Sequence, residues 1–295
     1  MRKRRHVSHA VFAAVTAAVV GVAGCDAVGG DEPAPSDTRA QSGRSKPTPV
    51  WDRSPDSIAA VGDSITTGFD ACAVLSDCPE ASWATGTSPR VGSLAVRLLG
   101  KAKAAEQSWN YAVTGARMAD VAGQLDRAVA RKPQLVTVMA GANDACRATT
   151  DAMTPVADFR TQFEDAMGTL RDALPKAQVF VASVPNLMRL WEQGRTNPLS
   201  KQVWGFGICP SMLSDPDSVT TAAEQRRETV QGRVEAYNKV LKEVCAKDRR
   251  CRFDDGAVHD FRFGAEQLSQ WDWFHPSVNG QARLAEIAYR TVTHQ

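Results

Sequence analysis

Three short runs of almost uninterrupted apolar residues, Ile58–Val61, Leu135–Met139 and Val179–Val184, constrain the fold of this chain more than any other feature. A strand with one face in water alternates apolar and polar residues; a run that is apolar at every position belongs to a strand covered on both faces, as in a parallel sheet. Between and after these runs the period changes. Val91, Leu94, Ala95, Leu98, Leu99 and Ala102 recur at helical spacing and predict one amphipathic helix, and Met118–Ala130 predicts another. Phe159, Phe163, Ala166, Leu170 and Leu174 mark a third stripe, Val230, Val234, Tyr237, Leu241 and Val244 a fourth, and the segment from Asn279 onward a closing helix. Weaker strand signals lie at Trp109–Val113 and Arg252–Asp255. Strands alternating with helices predict βαβ crossovers, hence an α/β fold with a central parallel sheet and helices on both faces.

The first apolar run empties directly into Gly62-Asp63-Ser64. Taken alone, these residues read equally well as a polar turn. The alternative is that the strand delivers Ser64 to the sheet edge as a nucleophile. A serine hydroxyl needs a neighbouring base to take its proton. Of the histidines, His294 is penultimate and expected to fray. His259 lies among Asp254, Asp255 and Asp260 and reads either as a base or as a solvated surface residue. His275 stands in Asp272-Trp273-Phe274-His275-Pro276, just before the last helix. That spacing lets one loop supply both an imidazole and the carboxylate that orients it. Donors for a developing oxyanion are expected at strand ends: the backbone N–H groups of Ser64 and Gly115, and the side-chain amide of Asn143 in Gly141-Ala142-Asn143-Asp144.

In this order, Gly62-Asp63-Ser64, Gly115, Gly141-x-Asn143-Asp144 and Asp272-x-x-His275 resemble the four blocks of the SGNH, or GDSL-type, hydrolases. The resemblance runs from about Ile58 to the C-terminus. It implies a three-layer α/β/α, flavodoxin-like domain with a Ser64–His275–Asp272 triad and an oxyanion hole from Ser64, Gly115 and Asn143. It also implies a serine ester hydrolase working through an acyl-enzyme without metal or organic cofactor. The Gly-x-Ser-x-Gly elbow of the larger α/β-hydrolase class is absent around Ser64. Substrate is left open by the residues. Trp191, Trp204 and Phe206, in the proline- and glycine-bearing stretch 186–220, are expected to pack a satellite core, to line an acyl groove or to stack on sugar rings. The groove favours lipid or short-chain esters, the stacking a carbohydrate O-acyl esterase of the cell envelope. A catalytically silent, surface-tethered binding protein is the reading from another class, and it has no need of all five site residues together.

The N-terminus predicts export. Met1–Arg5 carry four positive charges, and an uncharged, mostly apolar run follows to Gly24, which reads as a signal segment (1–24). It ends in Val22-Ala23-Gly24-Cys25, which resembles a bacterial lipobox and makes Cys25 the expected site of a lipid anchor on the outer face of the plasma membrane. Without that leader the net charge falls from +2 to −2, so no nucleic-acid footprint remains. Residues 25–50 are rich in Pro, Ser, Gly and Asp and are expected to form a flexible tether to a hydrolase domain over 51–295, acting as a monomer. Six of the seven cysteines remain after Cys25, an even number suited to disulfides in an exported chain. Proximity favours Cys72 with Cys78 and Cys245 with Cys251, leaving Cys146 for Cys209; a zinc site is the competing reading, lacking a Cys-x-x-Cys pair.

Overall fold

The computed structural model describes residues 50–294. The leader, Cys25 and the tether up to residue 49 lie outside the described residues. Strand β1 (Ile58–Gly62) enters a one-turn helix, α1 (Ser64–Thr67), and a long loop leads to α2 (Leu94–Leu99) and α3 (Lys101–Gln107). Next come β2 (Ser108–Asn110), α4 (Met118–Ala128), β3 (Leu135–Met139), α5 (Ala142–Ala145) and α6 (Val156–Ala173). Strand β4 (Gln178–Val181) is followed by three short helices, α7 (Leu187–Gly194), α8 (Pro198–Trp204) and α9 (Pro210–Leu213). The long helix α10 (Thr221–Ala246), β5 (Cys251–Phe253), α11 (Ala257–Asp260) and α12 (Val278–Thr293) complete the chain.

The five strands form one parallel sheet in the order β2-β1-β3-β4-β5. This is the flavodoxin-like order, whose topological switch lies at β1, between β2 and β3. Every residue of β1, β3 and β4 is buried, as strands covered on both faces require, whereas the edge strands β2 and β5 are only half-buried. Helices α4, α6 and α10 pack side by side on one face, and α12 packs with α2 on the other. The stripe Val230, Val234, Tyr237, Leu241 and Val244 of α10 is fully buried, and Tyr237 stacks on Phe159 of α6 with centroids 4.1 Å apart. Each such side chain contributes about 1.5–3 kcal/mol relative to exposure.

Two expectations change. The helix predicted over Val91–Ala102 is broken at Gly100, whose φ of +78° ends α2 and starts α3. The strand predicted over Trp109–Val113 is confined to Ser108–Asn110, because the chain then turns toward Gly115. All three disulfides pair as proximity suggested: Cys72–Cys78, Cys146–Cys209 and Cys245–Cys251. No helix among the described residues is long and apolar enough to cross a membrane.

Candidate active site

The carboxyl ends of three neighbouring strands bring the predicted residues together. Ser64 is the first residue of α1, directly after β1; Gly115 lies in the turn after β2; Asn143 is in α5, directly after β3. Gly62 is what allows the first of these turns. Its φ is +148°, and a Cβ there would meet the Met139 carbonyl oxygen of β3 at 2.1 Å. The buried Gln124 side chain of α4 then closes the end of β1, accepting from the Gly62 N–H at 2.7 Å and donating to its carbonyl at 2.9 Å. Asp63 caps α1 by accepting the Ile65 N–H at 3.0 Å. The nucleophile turn is thus held from both sides.

His275 Nε2 lies 2.8 Å from Ser64 Oγ, and His275 Nδ1 lies 2.5 Å from Asp272 Oδ2. The second Asp272 oxygen accepts the N–H groups of Phe274 and His275 at 2.9 and 3.0 Å, so the loop folds around its own carboxylate. Burial pushes the Asp272 carboxyl up, but the hydrogen bond and charge of His275 and these two amides outweigh it and hold Asp272 below the usual carboxylate range. Phe69 and Phe274 meet the imidazole edge-on, each with centroids 5.0 Å away, and shield it from water. Pro276 and Ser277 end the loop, Ser277 capping α12 through the Gly280 N–H at 3.2 Å. Within this geometry a neutral imidazole can take the Ser64 proton while Asp272 holds its Nδ1–H.

On the opposite side of Ser64 are the candidate donors. The N–H groups of Ser64 and Gly115 donate to no acceptor among the described residues. Gly115 adopts φ +84° with open space where a Cβ would project. Asn143 Nδ2 donates to the Ala116 carbonyl at 2.9 Å, which ties the Gly115 turn to α5 and leaves its second hydrogen for a ligand.

The other expectations fare differently. The His259 ring faces the Val184 carbonyl (3.0 Å) and Asn238 (3.1 Å), while Asp254 accepts from Ser183, Gly256 and Val258, so among the described residues no carboxylate hydrogen-bonds the His259 ring to orient it as a base. The His294 N–H donates to the Arg290 carbonyl and its own carbonyl accepts from Arg252. The stretch 186–220 is not a loop but the three helices α7–α9. Trp204 is buried and donates its indole N–H to the Asp272 carbonyl at 3.0 Å. The guanidinium groups of Arg195 and Arg227 lie over the Trp191 ring, at 4.7 and 4.1 Å, and its indole N–H donates to the Pro216 carbonyl. These two rings are structural, and only Phe206 is exposed. Residues that the sequence reading missed also hold the site: Gln124, and Gln281 of α12, which donates to the Ile65 carbonyl at 2.8 Å.

Chain neighbours of the site residues line a narrow, mostly apolar cleft of about 30 Å³. Its walls include Ile65, Ala142 and Phe274, the chain neighbours of Ser64, Asn143 and His275, and Leu187 and Leu190 of α7.

The model of the GDSL-like lipase/acylhydrolase family matches residues 58–288, from β1 into α12. The chain belongs to this family. It is accordingly a carboxylic ester hydrolase. Among solved structures it is similar to a variant of Axe2, an acetyl-xylooligosaccharide esterase from Geobacillus stearothermophilus, at 16% identity over 81% of this chain and 95% of that one, with a TM-score of 0.50. It is also similar to an extracellular lipase from Streptomyces rimosus, at 21% identity over 79% of this chain and 99% of that one, with a TM-score of 0.46. No curated protein matches the chain. At 16% identity the likeness to the Axe2 variant is one of fold.

Proposed function

We propose that this GDSL-like hydrolase cleaves esters of short acyl groups, with Ser64 as nucleophile, His275 as general base and acid, and Asp272 as the orienting carboxylate. The observation that carries the reading is the continuous hydrogen-bonded line from Ser64 Oγ through His275 to Asp272, at 2.8 and 2.5 Å. Ser64 Oγ attacks the ester carbonyl as its proton passes to His275 Nε2. The carbonyl oxygen becomes an oxyanion facing the N–H groups of Ser64 and Gly115 and the Asn143 amide. Collapse expels the alcohol, which takes the proton from His275, and leaves an acyl-enzyme. Water, deprotonated by His275, then releases the acid and restores Ser64.

The cleft lined by Ile65, Ala142 and Phe274 supports a small acyl group: about 30 Å³ accepts one or two water-sized groups, and Asn186 is the one polar residue in its lining. With Trp191 and Trp204 committed to packing, neither supports a long acyl groove or sugar stacking. The alcohol half of the ester is less constrained, so an acetylated glycan and a small acetate ester both fit this reading. Hydrolysis of p-nitrophenyl esters of increasing chain length tests it. Turnover on acetate to butyrate that falls steeply with longer chains, and is lost in Ser64→Ala, is expected. Highest rates on long chains would overturn the short-acyl assignment, activity persisting in Ser64→Ala would overturn the mechanism, and no turnover on any ester by folded protein would favour a binding role.

We further propose that the chain is exported, lipid-attached through Cys25 and active as a monomer, since one chain supplies every residue of the proposed machinery. The charged apolar leader, the Val22-Ala23-Gly24-Cys25 sequence and three disulfides support this. Cys25→Ser should move the activity from the membrane fraction to the soluble one; unchanged fractionation would refute the anchor.

A further inference from the structure

A buried carboxyl that the proposed mechanism does not use stands behind the triad. Asp70 is 1% exposed, and one of its oxygens, one of Asp272 and a ring nitrogen of His275 all lie within 4.8 Å of one another. The Asp70 and Asp272 carboxyl groups thus stand side by side, both buried. Two carboxylates so placed and out of water cannot both be ionised without a large cost, so the pair favours holding a proton. Asp70 is kept there by its surroundings. It adopts a left-handed conformation (φ 55°), its N–H bonds the Ser76 carbonyl at 2.9 Å, and its side chain accepts the Leu75 N–H. All of these partners lie within the loop closed by Cys72–Cys78. Its carbonyl accepts the Ser269 hydroxyl at 2.7 Å, and the Ser269 N–H in turn bonds the His275 carbonyl at 2.7 Å. A disulfide-closed loop therefore presses a second carboxyl against the acid of the triad and is tied to the same segment that carries the base.

We propose that Asp70 is a positioning residue of the triad, a buried carboxyl that stands beside Asp272 and sets the orientation and strength of the Asp272–His275 pair. This rests on the triad reading above. The location of that proton follows from the surroundings. His275 and two backbone amides hold Asp272 ionised. Burial pushes the Asp70 carboxyl up to about 6, and the adjoining Asp272 carboxyl pushes the same way, against the Leu75 amide and the His275 charge. Below that value Asp70 is a neutral carboxyl beside Asp272. Above it, Asp70 adds a second negative charge beside the imidazole and favours the imidazolium that forms as Ser64 attacks. The ionisable groups facing this pair are Asp272 and His275 on the triad loop and Asp63, whose charge acts on His275 from the cap of α1.

The test uses the full-length protein and two readouts. Asp70→Asn keeps an acceptor for Leu75 but never ionises. Its kcat on p-nitrophenyl acetate should match the wild type near pH 5.5 and fall several-fold below it by pH 8, with KM unchanged. In the Ser64→Ala background, where turnover plays no part, the imidazole titration of His275 followed by NMR should have its midpoint lowered by roughly half a unit or more when Asp70→Asn is added. A wild-type-to-variant ratio that is flat with pH, together with an unmoved His275 midpoint, would overturn the proposal and leave Asp70 as a loop residue only. Because the NMR arm needs no catalysis, it still decides the role of Asp70 if Ser64 proves not to be the nucleophile. Asp70→Ala should lose more activity than Asp70→Asn; should it fail to fold, the asparagine variant alone settles the matter.

Discussion

At the scale of single residues, Asp63 shows how a buried acid can serve the site and tax the fold at once. One oxygen caps α1, while the other is buried without a partner. Burial pushes this carboxyl up to about 7; the Ile65 amide and the His275 charge oppose that, and Asp144 adds to it. A folded-state value above the unfolded one means that the native state binds the proton more tightly. Asp63 therefore contributes stability that is present below about pH 4 and is lost as pH rises through about 7. Asp63→Asn keeps an acceptor for Ile65 and removes the titration, so its melting temperature should fall less than that of the wild type between about pH 5 and 8. At pH 8 the gain should be on the order of a few kcal/mol. Parallel melting profiles for the two proteins would show that Asp63 is not the responsible group. Asn143 lends itself to a kinetic test: Asn143→Ala should cost roughly 10²- to 10³-fold in kcat if its amide meets the oxyanion, and a loss below tenfold would remove it from that role.

At the scale of elements, the segment α7–α9 decides how the triad loop is braced. It joins β4 to α10, is fastened to the end of α5 by Cys146–Cys209, and reaches the triad through the Trp204 indole on the Asp272 carbonyl. Trp204→Phe keeps most of the packing and removes that donor. It should destabilise the protein by about 1–3 kcal/mol, the usual cost of a buried carbonyl left unpaired, and lower kcat with little change in KM. Unaltered melting and kcat would mean that the indole bond is incidental. The central strands and the helices α4, α6, α10 and α12 were legible in the sequence because each buries a regular stripe. The short helices were not: Pro198, Pro210 and the glycines around them read as loop, yet Asn197 caps α8 and the prolines occupy first turns, where a missing N–H costs nothing. The break between α2 and α3 was hidden for the opposite reason, since the apolar period continues through Gly100.

At the scale of the whole molecule, the disulfides close loops of very different length. Cys146–Cys209 spans 63 residues, whereas each of the others spans 6. Loop-closure entropy assigns about 4 kcal/mol to the first and about 2 kcal/mol to each of the others, so the Cys146→Ser/Cys209→Ser variant should melt lowest of the three paired replacements. An equal loss from Cys245→Ser/Cys251→Ser would contradict that ranking. The same contrast between near and far separates what could be read from the chain from what could not. Sequence by itself determined the parallel α/β architecture, since runs apolar on both faces have few other homes. It also pointed to the five candidate residues Ser64, Gly115, Asn143, Asp272 and His275, since their order along the chain resembles the GDSL-type blocks, though each alone read equally well as a turn or packing residue. Only the tertiary structure decided what surrounds them. Asp70 meets Ser269 across 199 residues and Ser64 meets His275 across 211, and nothing in the local pattern around Asp70, Gln124, Trp204 or Gln281 marks a partner so distant. A buried polar side chain takes its meaning from the one group it satisfies, and folding chooses that group.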